Sequence, residues 1–140
     1  MKFFPGVIMG LVLIASAACS SMGGVYLADE QVAVSVAQKV SDDPKKLKKL
    51  QEEQTVETLH RYITHRFDKL NVRKSLKFEV AITSYRIGWG RDHMGVHVIV
   101  KENDKILQEF DELETTGRRS VTEKLSKGLA RRIYDRIKDL

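Results

Sequence analysis

Residues 76–113 read LKFEVAITSYRIGWGRDHMGVHVIVKENDKILQEFDEL, and this stretch decides the fold. Every second residue of its first segment is apolar: Leu76, Phe78, Val80 and Ile82. That period is typical of a β-strand with one buried face. The next alternating set has the opposite phase: Tyr85, Ile87 and Trp89. Since an unbroken strand cannot exchange its two faces, the change of phase predicts a β-bulge near Thr83-Ser84.

Two hairpins are predicted in the rest of this stretch. Residues 88–95 are rich in turn formers and predict a loop, after which the valines at 96, 98 and 100 form a strand. Asn103-Asp104 fits a tight two-residue turn. The strand that follows, up to Leu113, is more polar, and we expect Ile106 and Phe110 to point inward and the acids outward. Its charges favour an edge position that resists strand addition.

Outward from these hairpins, the chain predicts one more strand and two helices. Residues 31–38 alternate, with three valines on one face. Residues 41–44 (Ser-Asp-Asp-Pro) are a helix-start signal. An apolar stripe follows until Asn71, although Leu47 and Leu50 lie out of phase with it and predict a bend. A capping box at residues 120–123 begins a final amphipathic helix.

The resulting order, β-α-β-β-β-α, predicts the fold class. We expect an α+β two-layer sandwich in which two helices cover one face of a mostly antiparallel sheet. The other face of the sheet is then either exposed to solvent or covered by a partner. At 140 residues the chain has room for one domain. Its 42% hydrophobic and 31% charged residues exclude collagen-like and wholly disordered proteins.

The amino-terminal end predicts export. Lys2 is the only charged residue before Asp29. The apolar stretch that follows Lys2 covers residues 3–18, which is shorter than the about 20 residues that a helix needs to cross a bilayer. We therefore assign residues 1–18 to a signal peptide, 19–30 to a flexible tether and 31–140 to a single domain. Cys19 is the only cysteine, which excludes an internal disulfide framework and a cysteine-rich zinc site.

Residues 16–19 (Ser-Ala-Ala-Cys) resemble the lipobox of bacterial lipoproteins, with Ser16 where that family usually has leucine. The resemblance implies that the Cys19 thiol is acylated and becomes the first mature residue. In Gram-negative lipoproteins, Ser20 rather than aspartate after the cysteine implies sorting to the outer membrane, here to its periplasmic face. The alternative is ordinary A-x-A cleavage at residues 15–17, with Cys19 left as a free thiol.

The predicted architecture resembles small envelope lipoproteins of Gram-negative bacteria. The lipopolysaccharide-assembly lipoprotein LptE and the TolB-N-terminal and CsgG-like lipoproteins share this kind of element order. The resemblance implies an accessory or scaffold role in envelope assembly or transport, with an envelope protein as partner. Only Cys19 is carried over as a functional residue.

A catalytic or metal site is not predicted. His60 and His65 are five residues apart on a helix and point in different directions. His93 and His97 lie in or beside a hairpin without a carboxylate at a recognisable ligand spacing. No catalytic serine elbow, phosphate-binding loop or dinucleotide fingerprint is present in the sequence. We expect a protein that is not an enzyme and that needs no cofactor.

Two surfaces remain as candidate binding sites. Trp89, flanked by Arg86 and Arg91, forms a hairpin tip of a composition typical of protein interfaces, the alternative being that Trp89 packs on the core. The second candidate is a set of cations near one stripe of the last helix: Lys124, Lys127, Arg131 and Lys138, with Arg118, Arg119, Arg132 and Arg136 adding to it.

The basic helix favours an anionic ligand, in keeping with a net charge of +5. That ligand is an anionic lipid or glycolipid such as lipopolysaccharide, and the alternative is a merely solvated helix face. A second lysine cluster, at the start of the first predicted helix, likewise fits a solvated helix end, and the alternative is a phosphate contact: Lys45, Lys46, Lys48 and Lys49. Nucleic acid is the remaining alternative because α-β-β-β-α is also the order of double-stranded RNA-binding domains, but the export signal argues against RNA and leaves only DNA uptake.

Overall fold

The structure is a computed structural model that describes residues 24–87, 91–116 and 122–140. Within these ranges the chain forms an α+β two-layer sandwich, which confirms the predicted fold class. The strands are β1 (Tyr26–Ala28), β2 (Val32–Val36), β3 (Leu76–Arg86), β4 (Asp92–Glu102) and β5 (Lys105–Thr116). The helices are α1 (Gln38–Ser41), α2 (Pro44–Glu52), α3 (Thr55–Lys69) and α4 (Thr122–Ile137).

The five strands are ordered β1-β2-β3-β4-β5 across the sheet. Every neighbouring pair is antiparallel except β2 and β3, which run parallel because α1, α2 and α3 carry the chain back between them. The two long helices α3 and α4 pack against each other and against the strands. None of the helices in the described ranges has both the length and the apolar content needed to cross a membrane.

The core lies between the sheet and these two helices. It is almost entirely aliphatic and aromatic, as the alternation in β3 and β4 and the stripes in α3 and α4 predict. Its largest fully buried side chains include Tyr85, Phe67, Phe78, Leu59, Ile63, Leu129 and Ile133. Tyr85 brings a polar atom into this core, and its hydroxyl lies 2.9 Å from Thr55 Oγ1.

The predicted bulge in β3 is confirmed. The β3–β4 register shifts between Ile82 and Ser84, and both Ile82 and Tyr85 are buried as a result. β4 begins at Asp92, so residues 92–95, expected in a loop, belong to a strand. Gly95 pairs with Ser84, and a Cβ at Gly95 would lie only 2.5 Å from Ser84 Oγ. This close approach explains a glycine inside the strand.

A second bulge, in β5, was not predicted. Val100 pairs with Gln108 but Lys101 pairs with Ile106, so Leu107 is the extra residue. The shift brings Phe110 opposite Val98 in the core. Ile106 is 57% exposed, so the expectation that it points inward is wrong.

The strand β1 lies within the range expected to be tether. Leu27 pairs with Val34 of β2, and all three β1 residues are exposed, so no apolar alternation signals the strand. The turn into β2 is held by Asp29, whose Oδ1 accepts hydrogen bonds of 2.8 Å from the amides of Gln31 and Val32. Partial burial opposes ionisation of Asp29, but these hydrogen bonds prevail and lower its pKa.

The first predicted helix is divided in two. Gln54 has φ of 52°, a left-handed conformation that separates α2 from α3 and accounts for the phase change of the apolar residues. Asp43 caps α2 as predicted, with Oδ1 accepting from the Lys45 amide at 3.0 Å. Asn71, with φ of 57°, ends α3 as predicted.

Candidate functional site

The cations of α4 fall into two groups, and the first faces the sheet edge. Arg132 Nε donates to Glu114 Oε1 at 2.5 Å, and Arg136 Nε lies 2.7 Å from Glu112 Oε2. The hydrogen bond to Glu114 raises the pKa of Arg132. Gly128 allows this approach, because a Cβ there would lie 2.6 Å from the Glu114 Cδ. These two arginines therefore do not belong to the basic stripe with which the sequence grouped them.

The second group lies on the outer side of α4. Lys124, Lys127 and Arg131 are exposed and make no ion pair within the described ranges. Lys138, near the end of the chain, lies 4.0 Å from Asp135 in an (i, i+3) pair. Arg118 and Arg119 lie outside the described residues. The structure thus keeps three of the predicted anion-binding residues together and unpaired.

The neighbouring helix α3 adds cations that the sequence did not assign to this site. A groove of about 320 Å³ runs between α3 and α4. Its lining residues are Tyr62, His65, Arg66, Lys69, Leu70, Lys127 and Ala130. Among the described residues, Arg66 and Lys69 have no acidic partner. We call the five unpaired cations of the two helices the helix face: Arg66, Lys69, Lys124, Lys127 and Arg131.

The helix face combines cationic walls with apolar surface in the groove. Leu70 and Ala130 contribute aliphatic surface, and Tyr62 contributes an aromatic ring. Near the groove, the Tyr62 hydroxyl donates to Glu123 Oε2 at 3.2 Å. Glu123 also pairs with Arg61 at 3.7 Å, so its charge is compensated. The arrangement suits a ligand that carries a phosphate or carboxylate next to an apolar part.

The predicted hairpin site is described only at its base. Arg86 ends β3 and is paired in register with His93, Arg91 is exposed immediately before β4, and Trp89 lies outside the described residues. A pocket of about 160 Å³ joins Arg86 to the start of α2, and it is lined by Lys45, Lys46, Lys49, Tyr85, Arg86 and Ile87. The structure therefore places the α2 lysines next to the hairpin.

A histidine–carboxylate cluster lies on the sheet face away from the helices. His97 Nδ1 is 2.7 Å from Asp111 Oδ1, and His97 Nε2 is 2.6 Å from Glu109 Oε2. The hydrogen bonds to Asp111 and Glu109 raise the pKa of His97. The sequence had suggested no carboxylate near this histidine. The described residues hold no group of three or more side chains that could bind a metal ion.

The two helix histidines have different surroundings, as predicted from their spacing. His65 lines the groove, whereas His60 Nε2 lies 3.1 Å from the Val32 carbonyl oxygen and 3.4 Å from Asp29. A larger cavity of about 770 Å³ lies near Asp29. Its lysines are already engaged: Lys74 pairs with Asp68 at 2.7 Å, and Lys77 donates to the Glu30 carbonyl oxygen at 2.7 Å. This cavity is therefore a weaker anion site than the groove.

Comparison with known proteins gives distant likenesses. No family model and no curated protein matches the sequence. A protein from Caulobacter crescentus CB15, provisionally assigned as a lipoprotein, is similar over 57% of this chain and 77% of its own, with 13% identity and a TM-score of 0.44. A PelC dodecamer from Paraburkholderia phytofirmans provides a second similar chain, over 80% of this chain and 90% of its own, with 14% identity and a TM-score of 0.42.

Proposed function

We propose that this protein is a lipid-anchored envelope protein that binds anionic, phosphate-bearing lipid through the helix face. In this proposal, acylated Cys19 holds the chain at the periplasmic face of the outer membrane, and the domain acts as an accessory without catalysing a reaction. The observation that carries the proposal is a set of five cations on α3 and α4 that have no acidic partner among the described residues. Three of them, Arg66, Lys69 and Lys127, line one groove between the two helices.

The position of Gly24, the first residue that the structure describes, is compatible with this role. The Gly24 amide donates to Glu57 Oε2 at 2.8 Å, in the first turn of α3. Between Cys19 and Gly24 there are 24 − 19 = 5 peptide steps, with a reach of about 18 Å. The distance along α3 from Glu57 to Lys69 is also about 18 Å at 1.5 Å per residue. A leaflet that holds Cys19 is therefore within reach of the helix face.

The chemistry of the helix face favours phosphate. A guanidinium such as that of Arg66 or Arg131 can bind two phosphate oxygens at once, and lysine ammonium groups add point charges. Each such cation contributes about 1 kcal/mol to attraction by an anionic leaflet. The apolar residues of the groove provide surface for the acyl or sugar part of the ligand.

The test is a titration of the detergent-solubilised mature protein with short-chain phosphatidylglycerol, followed by amide chemical shifts. We expect shifts at the helix face that disappear at high salt, and none with short-chain phosphatidylcholine. The double variant Arg66→Glu/Lys127→Glu should bind at least about 30-fold more weakly, because two cations of about 1 kcal/mol each are lost and two negative charges are added.

The matched control reverses two exposed lysines that belong neither to the helix face nor to the pocket beside Arg86, Lys39→Glu/Lys48→Glu. Equal losses of lipid affinity in the two double variants would contradict a specific site at the helix face. They would indicate only nonspecific attraction by net charge. A second titration with lipid A phosphates distinguishes a phospholipid from a glycolipid as the source of the phosphate.

The anchor is tested separately. We expect incorporation of labelled palmitate into the wild-type protein, loss of the label in Cys19→Ala, and accumulation of the precursor when the lipoprotein signal peptidase is inhibited by globomycin. An amino-terminal peptide that begins before Cys19, or that carries a free Cys19 thiol, would contradict the anchor.

A protein partner at the hairpin is a second candidate function. It is favoured by the pocket that joins Arg86 to the α2 lysines, next to Arg91 at the hairpin base. We expect a photo-crosslinking residue at Arg91 to give a discrete crosslinked product in whole cells, and Trp89→Ala to remove it. A product that survives Trp89→Ala would contradict this role for the hairpin tip.

A further inference from the structure

Among the residues that the structure describes, the outer edge of strand β5 has no neighbouring strand. β5 is 12 residues long and is the last strand of the sheet, paired along its inner side with β4. Within the described ranges no other backbone hydrogen bond reaches residues 105–115. A strand edge of this length offers a row of unpaired amides and carbonyls to another extended chain.

The charges that usually protect such an edge are occupied within the domain. Glu112 and Glu114 point to the helix side, where Arg136 and Arg132 bind them. On the opposite face both Glu109 and Asp111 bind the imidazole of one residue, His97. The only lysine of β5 is Lys105, at its first position. The lysines that commonly block edge pairing are thus absent from the rest of this strand.

Apolar side chains are also exposed along β5. The exposed fractions are 42% for Leu107 and 51% for Leu113. Leu113 lies over Gly95, with Cδ1 3.4 Å from where a Cβ would stand. Leu113 lies on the same sheet face as Glu109 and Asp111, so side chains on one face of an added strand would cover all three.

The acidic residues of β5 favour a partner segment that carries basic residues. β5 carries four acids and one lysine in a chain whose net charge is +5, and Glu109 and Asp111 share a single histidine. A second copy fits poorly, because antiparallel pairing of two β5 strands about Phe110 sets Glu109 of one copy opposite Asp111 of the other, and like charges directly opposite destabilise a sheet. Basic residues at alternate positions complement this surface.

We propose that β5 binds an extended segment of another protein by β-strand addition, and that this segment carries basic residues at every second position, on the sheet face that holds Glu109 and Asp111. The inference is independent of acylation at Cys19 and of the helix face. Its failure would therefore leave the proposed lipid binding unaffected, and the reverse also holds.

The test uses the full chain in detergent and a blocked eight-residue peptide of alternating lysine and valine. We expect binding by fluorescence anisotropy and slower hydrogen exchange of β5 amides that point away from β4. A peptide of alternating glutamate and valine should not bind. The double variant Glu109→Lys/Asp111→Lys should weaken binding about tenfold or more, whereas the control Glu52→Lys/Asp135→Lys, which reverses two exposed acids of α2 and α4, should not.

A second peptide separates strand addition from simple charge attraction. Methylation of alternate backbone amides keeps its lysines but removes the donors of one edge. If strand addition is correct, methylation of the edge that faces β5 abolishes binding and methylation of the other edge does not. Equal binding of both methylated peptides would overturn the proposal, as would protection of β5 by self-association without peptide.

Discussion

His97 and Asp111 face each other across β4 and β5, with His97 Nδ1 2.7 Å from Asp111 Oδ1. The other ring nitrogen is 2.6 Å from Glu109 Oε2, so an imidazolium at this position donates to two carboxylates. The two hydrogen bonds raise the pKa of His97 in the folded protein. Protonation of one side chain thereby links the stability of the β4–β5 pair to pH.

We expect the contribution of His97 to the free energy of unfolding to fall as the pH rises above the unfolded pKa of about 6.5. Because the folded pKa of His97 lies above its unfolded value of about 6.5, the folded state binds more protons in this window. The stabilisation is fully present below the unfolded pKa and is lost through the folded pKa. Urea unfolding at several pH values measures it. If His97→Gln keeps the wild-type slope against pH, the histidine is not its source.

Removal of one hydroxyl from the buried hydrogen-bonded pair Tyr85 and Thr55 should lower the free energy of unfolding. Their oxygens are 2.9 Å apart, and both residues are almost completely buried. We expect Tyr85→Phe to lower the free energy of unfolding by about 1–3 kcal/mol, because the Thr55 hydroxyl loses this partner. The double variant Tyr85→Phe/Thr55→Val should recover much of that loss. No recovery would mean that the tyrosine acts through contacts other than Thr55.

A glycine in the β4–β5 turn should stabilise the folded protein. Asn103 and Asp104 both have positive φ, at 53° and 64°, as a type I′ turn requires. Glycine carries no steric penalty in this region, so Asp104→Gly should raise the free energy of unfolding by up to about 1 kcal/mol. Asp104→Ala is the matched control, since it removes the carboxylate but keeps the Cβ. An equal gain in both variants would point to charge rather than backbone strain.

The α2 cap is expected to act through its side-chain oxygen. Asp43 accepts from the amides of Lys45 and Lys46 at 3.0 and 3.3 Å. Asp43→Ala should cost about 1 kcal/mol in denaturant unfolding, whereas Asp43→Asn, which keeps an acceptor, should cost much less. A similar loss in both variants would show that the negative charge beside the α2 lysines, rather than the hydrogen bond, matters.

The register of β5 marks the limit of prediction from sequence. A two-residue turn at 103–104 pairs Glu102 with Lys105, and uninterrupted pairing from there would set Glu109 opposite the buried Val98. The extra residue at Leu107 corrects this and brings Phe110 to the core instead. Ile106 and Phe110 have the same parity, so simple alternation places both inward and gives no sign that a bulge separates them. The same shift brings Asp111 to His97.

The candidate site was only half predictable for a related reason. Helical periodicity places Lys124, Lys127 and Arg131 on one side of α4, and the structure agrees. The contribution of Arg66 and Lys69 depends on how α3 packs beside α4, which periodicity within one helix does not contain. A check of which α3 residues flank its buried stripe would have suggested them.

The single parallel pairing in the sheet bears on the order of folding events. β3, β4 and β5 are joined by short local connections and can assemble early, whereas β2 meets β3 only after the intervening helices have formed. The strands that leave the ribosome first are thus incorporated late. During synthesis, the amino-terminal strands β1 and β2 therefore remain without their neighbour β3 until the later part of the chain has been made.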